Sequence, residues 1–516
     1  MLHPTQDPPL DGMTPLGGRG VDGDLELDVV VRAMALGDGR VASVVRRVLL
    51  DPTTDADVIR YRQATLTACL ERPGVARSLY DIATRTLERR TKVYWGLVRR
   101  PAAVVRNGVD LMRVYRSAFR DLRALADAHR DDDADDPLAA LLVTLRTTLS
   151  DALLADIDAH LDALRIDDGV RVAASLGGAT TASAYVLEPP ERFRQPASRA
   201  VRRWWRAAWR TLRRREATVF TYRVGAYDDS ARRELSDLQG RGLARTATAL
   251  AAACDELLWF FGRLRDELAF YLGGMALHER LTSLGAPVCF PQPRDASPTF
   301  LKASGLVDAG LAFTVDGAVV GNDVEADGKG TIVVTGANQG GKTTFLRSLG
   351  VAQLLMQAGS LVPARSFESS VATDVFTHFT RAEDAGMRRG RLDEELSRLD
   401  GIVSAIEPGA LLLMNESFAS TNEREGSELA EAIVRALTEA GVRVVFVTHL
   451  NRFARELHER RPSGTLFLEA ERLSDGARTF RMIAGAPAQA SYGEELYRAL
   501  FGGPPVALPV EDAPPS

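Results

Sequence analysis

The 516-residue chain is too long for one ordinary hydrophobic core, and with 45% apolar and 26% charged residues it has the balance of a globular protein of about two to four domains. A formal net charge of -5 and a pI near 5.9 exclude a molecule drawn to nucleic acid or anionic membrane by its overall field, so any polyanion site is local. Three scattered cysteines, Cys69, Cys254 and Cys289, have no CxxC pair and no histidine cluster beside them, which points to neither a disulfide frame nor a zinc site.

Residues 1–24 are rich in Pro, Gly and Asp and lack the basic-then-apolar pattern of a secretory signal, so a disordered tail is expected. No run of about 18 apolar residues follows, so no membrane span is expected and the chain reads as cytoplasmic. From Leu25 apolar residues recur at three- and four-residue spacing, as in Val41, Val44, Val45, Val48 and Leu49, the period of amphipathic helices. This helical pattern defines a domain over 25–295, broken at Asp131–Asp136 by like charges followed by Pro137. Within it, 169–225 holds GVRVAASLGG, ASAYVLE and ATVFTYRV, whose Val, Thr and Tyr content predicts a small β-containing insertion. Helical spacing returns from Ser230 and ends in the Pro and Gly punctuation of 285–293.

After about Thr299 the runs TIVVTG, ALLLMNE and VRVVFVTH alternate with helical stretches, which predicts an α/β domain over 296–502 with a largely parallel sheet. The end, 503–516, reads as a second disordered tail. The fold class is therefore α+β multidomain: a mainly helical part with a β insertion, followed by an α/β P-loop domain.

The chemistry concentrates in that second part. Gly336, Ala337, Asn338, Gln339, Gly340, Gly341, Lys342 and Thr343 fit G-x-x-x-x-G-K-[ST], directly after an apolar strand and before a helix, and Thr344 continues into that helix. Such a loop turns backbone N–H groups onto phosphate oxygens, with Lys342 on the β/γ-phosphates and Thr343 on Mg²⁺; the competing reading is a glycine-rich turn with an incidental lysine. The strand Leu411–Met414 delivers Asn415 and Glu416 at its end. Most P-loop ATPases have Asp at the first of these positions; Asn415 carries no charge and should hold Mg²⁺ more weakly, while Glu416 is the candidate base or, alternatively, a solvent-facing carboxylate. Thr343, Asn415 and Glu416 are thus the candidate Mg²⁺ ligands. Val444–Val447 ends in Thr448 and His449, and His449 is the candidate sensor of the γ-phosphate.

These motifs together resemble the MutS family. TGANQGGKTT is similar to its TG-P-N-x-GGK-[ST]-T, GSLVPA at 359–364 to its G-x-x-V-P-A, NESFASTNEREG at 415–426 to its D-E-x-x-x-G-T-x-x-x-[DE]-G, and VTHL to its A-T-H-[YF]. VGND at 320–323 resembles the segment that lines the family's adenine pocket, which makes Asn322 a candidate nucleotide contact, and SYG at 491–493 resembles its S-[YFH]-G. DPTTDADVIRYRQATL at 51–66 resembles the start of the family's helical core. The resemblance implies a helical core and lever domain followed by an ATPase domain, a homodimer with nucleotide at its interface, ATP and Mg²⁺ as ligands, and double-stranded or branched DNA as partner, in a cytoplasmic protein that is nucleoid-associated when bound to DNA.

Departures qualify that implication. Nothing before Leu25 supplies the family's mismatch-reading domains, and GRLDEEL at 390–396 replaces S-T-F-x-x-E, with Glu395 in place of its glutamate but without its trans-acting serine. Ser198–Glu216 carries eight arginines and Trp204, Trp205 and Trp209. On a helix Arg199, Arg202, Arg203, Arg206, Arg210 and Arg213 share one side, a stripe suited to a phosphate backbone and similar in position to the family's clamp. A solvated helix, a face paired with acids, and a membrane-surface helix fit the same residues. Three functions follow: a clamp controlled by ATP binding and hydrolysis in DNA mismatch repair, other repair or recombination; a nucleotide-gated scaffold with little hydrolysis; and a transporter-type ATPase, against which the missing LSGGQ-like signature counts.

Overall fold

The computed structural model describes residues 20–91, 100–129, 136–164, 171–176, 182–188, 229–380, 390–460, 462–473 and 477–487. The N-terminal helices are α1 (Val21–Asp24), α2 (Leu27–Ala35), α3 (Gly39–Leu50) and α4 (Ala56–Glu71). α3 buries Val41, Val44, Val45, Val48 and Leu49, and the Asp38 carboxylate accepts from the Arg40 and Val41 N–H groups at its start. There follow α5 (Pro73–Thr91), α6 (Pro101–Ala128), α7 (Pro137–Thr148) and α8 (Asp151–Ala163). Within the acidic run, Asp136 caps α7 through the Leu138 and Ala139 N–H groups, with Pro137 at the first turn where no donor is needed.

The expected β insertion contains an antiparallel hairpin, β1 (Arg171–Leu176) with β2 (Ala182–Glu188). The third predicted run, ATVFTYRV, lies outside the described residues, as do 1–19 and 503–516 of the predicted tails, whereas the end of the N-terminal tail, expected to be disordered, forms α1 with Val21 buried. Next comes the 55-residue α9 (Asp229–Ser283), ended by the punctuation read from the sequence. Among the described residues no single helix is long and apolar enough to cross a membrane.

The remainder forms two sheets from β3 (Gln292–Arg294), β4 (Leu301–Leu306), β5 (Asn322–Glu325), β6 (Thr331–Thr335), β7 (Ser366–Ser370), β8 (Val375–Phe379), β9 (Leu411–Asn415), β10 (Arg443–Val447), β11 (Thr465–Arg472) and β12 (Arg478–Ala484). The interspersed helices are α10 (Ala309–Ala312), α11 (Lys342–Ala358), α12 (Arg391–Ala405), α13 (Glu423–Glu439) and α14 (Asn451–Glu459). One sheet has the order β12-β11-β6-β10-β9-β8, parallel except for β12; the other is β3-β7-β4-β5. The runs Ile332–Val334, Leu411–Met414 and Val444–Val447 of β6, β9 and β10 are continuously apolar because both faces are covered. Val333, Phe376, Leu412, Met414 and Phe446 meet Leu399, Ala430, Val434 and Phe453 of the helices on one side, while Leu413 reaches Gly350 of α11 on the other.

Packing divides the described chain after Glu71 and after Leu268. In the unit Arg72–Leu268, Tyr115 of α6 stacks on Phe261 of α9 with ring centroids 5.6 Å apart, and Phe119 adds a second ring at 5.8 Å. The other unit joins α1–α4 and the end of α9 to both sheets. The change of pattern near residue 295 is therefore a change from helical to β-rich chain, whereas the packing boundaries lie elsewhere. The reason is that α3 and α4 cover α11: Gln357 Nε2 donates to Thr53 O at 3.1 Å, and Gly359 beyond the end of α11 lies against Arg62 of α4.

Candidate functional site

The phosphate-loop motif lies where the sequence placed it, between β6 and α11. Its backbone takes conformations suited to glycine: Gly336 has φ 121° and Gly341 φ 90°, and a side chain on Gly336 would meet Ala470 at 2.9 Å. Gln339 holds a left-handed φ of 60°, and its Oε1 accepts from Arg478 Nη1 of β12 at 2.8 Å. Lys342 is buried and donates to the Gly336 and Ala337 carbonyls at 3.0 and 2.9 Å, so its ammonium is folded over the loop it serves. Burial lowers its proton affinity, an effect opposed by the charge of Glu416.

Parallel pairing brings the three motifs together. β10 lies between β6 and β9, so the loop ends of all three strands open on one edge. There Thr343 Oγ1 donates to Asn415 Oδ1 at 3.1 Å, joining the first turn of α11 to the end of β9. His449 Nε2 stands 3.1 Å from Glu416 Oε1. His449 at that distance, and then the charge of Lys342, hold the Glu416 carboxyl below its usual range against the opposing effect of burial.

Glu416 sits at φ 55°, in the left-handed region that costs a non-glycine residue about 1–2 kcal/mol. Its backbone is held at both ends. The N–H donates to Val447 O at 2.8 Å, and the carbonyl accepts from Thr380 Oγ1 at 2.8 Å, just beyond β8. Phe418 is also left-handed, at φ 66°, and the motif closes at Gly426, where any Cβ would stand 2.7 Å from Phe418 O. Asn422 caps α13 through the Glu425 N–H at 3.0 Å.

Asn322 is placed differently from the loop residues. Its amide Oδ1 accepts from Met482 N at 2.7 Å and its Nδ2 donates to Phe480 O at 3.3 Å, so both ends of the side chain tie β5 to β12. Phe480, exposed and at φ 60°, has its backbone and Cβ beside Gly341 of the loop. Sequence reasoning missed Phe480, Thr380 and Arg478, because only strand pairing brings them to the motifs. The arginines Arg199, Arg202, Arg203, Arg206, Arg210 and Arg213 lie outside the described residues, as does SYG at 491–493.

The donor set fits a nucleotide with Mg²⁺: a lysine, a glycine-lined loop at a helix N-terminus, a threonine hydroxyl already on a strand-end amide oxygen, and a carboxylate beside them. Two family descriptions match the chain, the MutS2 N-terminal domain over residues 54–284 and MutS domain V over 332–506. The DNA mismatch repair protein MutS 2 of Halobacterium salinarum is 30% identical over 205 residues, covering 39% of this chain and 24% of that protein. DNA mismatch repair protein MutS of Chloroflexus aurantiacus is 27% identical over 38% of this chain and 21% of its own length, and that of Natronomonas pharaonis 30% identical over 34% and 20%. The chain thus spans about a quarter or less of the length of these curated relatives. With both family descriptions falling on the segments that carry the helices and the phosphate loop, the chain belongs to the MutS family.

Proposed function

We propose that the chain is a MutS-like ATPase of DNA repair or recombination, in which ATP binding and hydrolysis control a helical DNA clamp. The relatives are named as DNA mismatch repair proteins, and their similarity to this chain supports that class. The observation that carries the hydrolytic reading is Glu416, ionised and 3.1 Å from His449, at the strand edge shared with the phosphate loop. Gly336 to Gly341 and Lys342 hold the phosphates, Glu416 takes the proton of the attacking water, and His449 orients Glu416 and senses the γ-phosphate. Thr343 and Asn415 would hold Mg²⁺, which supplies charge neutralisation to the phosphate oxygens.

Two copies share the nucleotide sites, as the family resemblance implies, and the helical unit with the arginine stripe Arg199–Arg213 contacts the backbone of double-stranded or branched DNA. The protein works in the cytoplasm, at the nucleoid when bound to DNA. Steady-state ATP hydrolysis with duplex, mismatched and branched DNA, with Lys342→Ala as blank, tests this. Stimulation by one DNA form supports the clamp; turnover or nucleotide binding indifferent to every DNA sinks it. A second reading, a nucleotide-gated scaffold with little turnover, is favoured by Asn415, whose neutral amide occupies the position facing Thr343.

A further inference from the structure

We propose that Glu395 is a positioning residue for Glu416, acting from α12 through the turn 416–420; this rests on the hydrolytic reading above. Glu395 is buried, and both its oxygens are engaged by the segment that follows β9. Oε1 accepts from the Phe418 N–H at 2.6 Å and Oε2 from the Ser420 hydroxyl at 2.7 Å. A second tie runs through the same helix turn. The Glu395 carbonyl lies 3.2 Å from His378 Nε2, and His378 Nδ1 lies 2.7 Å from Ser417 Oγ, which in turn donates to His378 O at 3.0 Å.

The geometry explains why such a brace is needed. Glu416 and Phe418 both hold left-handed backbones, and an L-residue leaves that region unless its surroundings over-determine it. Thr380 and Val447 fix the backbone of Glu416 itself. Glu395 fixes the other end of the turn by supplying the acceptor for a buried N–H whose loss would leave that donor unpaired. With the brace removed, Phe418 relaxes toward right-handed backbone, the turn rotates, and the Glu416 carboxylate swings away from His449. The phosphate loop does not touch Glu395 through any of these bonds, so nucleotide affinity is spared. Glu395 therefore acts on the chemical step and not on binding.

Full-length Glu395→Ala, Glu395→Gln and Ser420→Ala, each in wild-type and Glu416→Gln backgrounds, test this by turnover, ATP and ADP affinity and hydrogen exchange across 411–422. In Glu395→Ala we expect kcat to fall at least about tenfold with ADP affinity changed less than about threefold. Faster exchange should be confined to 416–420, and no further loss should appear once Glu416 is Gln. Glu395→Gln, which keeps an acceptor for Phe418, recovers most of the rate. Ser420→Ala loses less than Glu395→Ala and guards against a fold defect in the latter. Unchanged exchange, or an equal rate loss with and without Glu416, overturns the proposal. Wild type that turns over no ATP defeats the hydrolytic reading alone; faster exchange confined to 416–420 in Glu395→Ala then still supports Glu395 as the brace of the turn that carries Glu416, and unchanged exchange overturns it.

Discussion

Asn415 is the residue at which this chain departs most consequentially from the P-loop pattern, and its surroundings make the departure testable without rebuilding the site. Its Oδ1 already accepts from Thr343 Oγ1 at 3.1 Å, a role that an aspartate oxygen fills equally well. Asn415→Asp should therefore add charge at the Mg²⁺ position without a packing cost and raise kcat about tenfold or more. Turnover unchanged at saturating Mg²⁺ would remove the argument that the neutral amide slows the enzyme. Glu416 yields a second prediction. Its carboxyl is held below the usual carboxylate range chiefly by His449 beside it, so the base stays ionised and its acid limb lies below that range. Replacing His449 with Ala removes the leading cause and leaves burial, which acts in the opposite direction. The acid limb of kcat in His449→Ala should move up, and a limb that stays in place would show that His449 does not govern Glu416. The same linkage makes the pairing stabilising at neutral pH and lost as pH falls through the depressed value.

At the scale of elements, the strands and helices that carry motifs were legible because their signals are local. TIVVTG, ALLLMNE and VRVVFVTH are β6, β9 and β10, each an apolar run that both-sided burial requires. What the sequence left dark is contact across elements. Asn322 looks like a ligand-facing residue beside its motif, yet its amide is spent on Phe480 and Met482 of β12, some 160 residues on. Thr380 carries no motif and matters only because β8 pairs with β9. Gly359, which begins GSLVPA, shows how a motif position can be structural. It follows α11 at φ 79° with its N–H bonded back into the helix, and a Cβ there would lie 2.3 Å from that of Arg62 on α4. Gly359→Ala adds left-handed strain to a backbone-to-stem clash and should cost about 2 kcal/mol or more. A lower urea midpoint with unchanged slope would show it, and a midpoint equal to wild type would mean that α4 yields freely.

For the whole molecule, the division read from sequence and the one made by packing predict different behaviour for the same fragment. Residues 296–502 contain every nucleotide motif and read from the sequence as one α/β domain. In the structure, however, α11 is buried along its length, including Val351, Leu354, Leu355 and Ala358, and it packs on α3 and α4. Leu25 lies against Gly350, Thr53 O accepts a hydrogen bond from Gln357 Nε2, and Arg62 donates to Ala358 O. The amphipathic period of residues 39–50 announced a buried face but not what it would cover, since periodicity gives the stripe and not its partner. Each large apolar side chain left in water forfeits about 1.5–3 kcal/mol, so a few of them match the whole margin of about 5–15 kcal/mol that keeps a domain folded. Residues 296–502 expressed alone should therefore aggregate or lack a cooperative thermal transition, and co-expression with 20–71 should restore one. A fragment 296–502 that unfolds cooperatively and binds nucleotide without those helices would instead make α1–α4 an attachment to a finished domain, and the phosphate-loop helix would have no need of the chain's first helices.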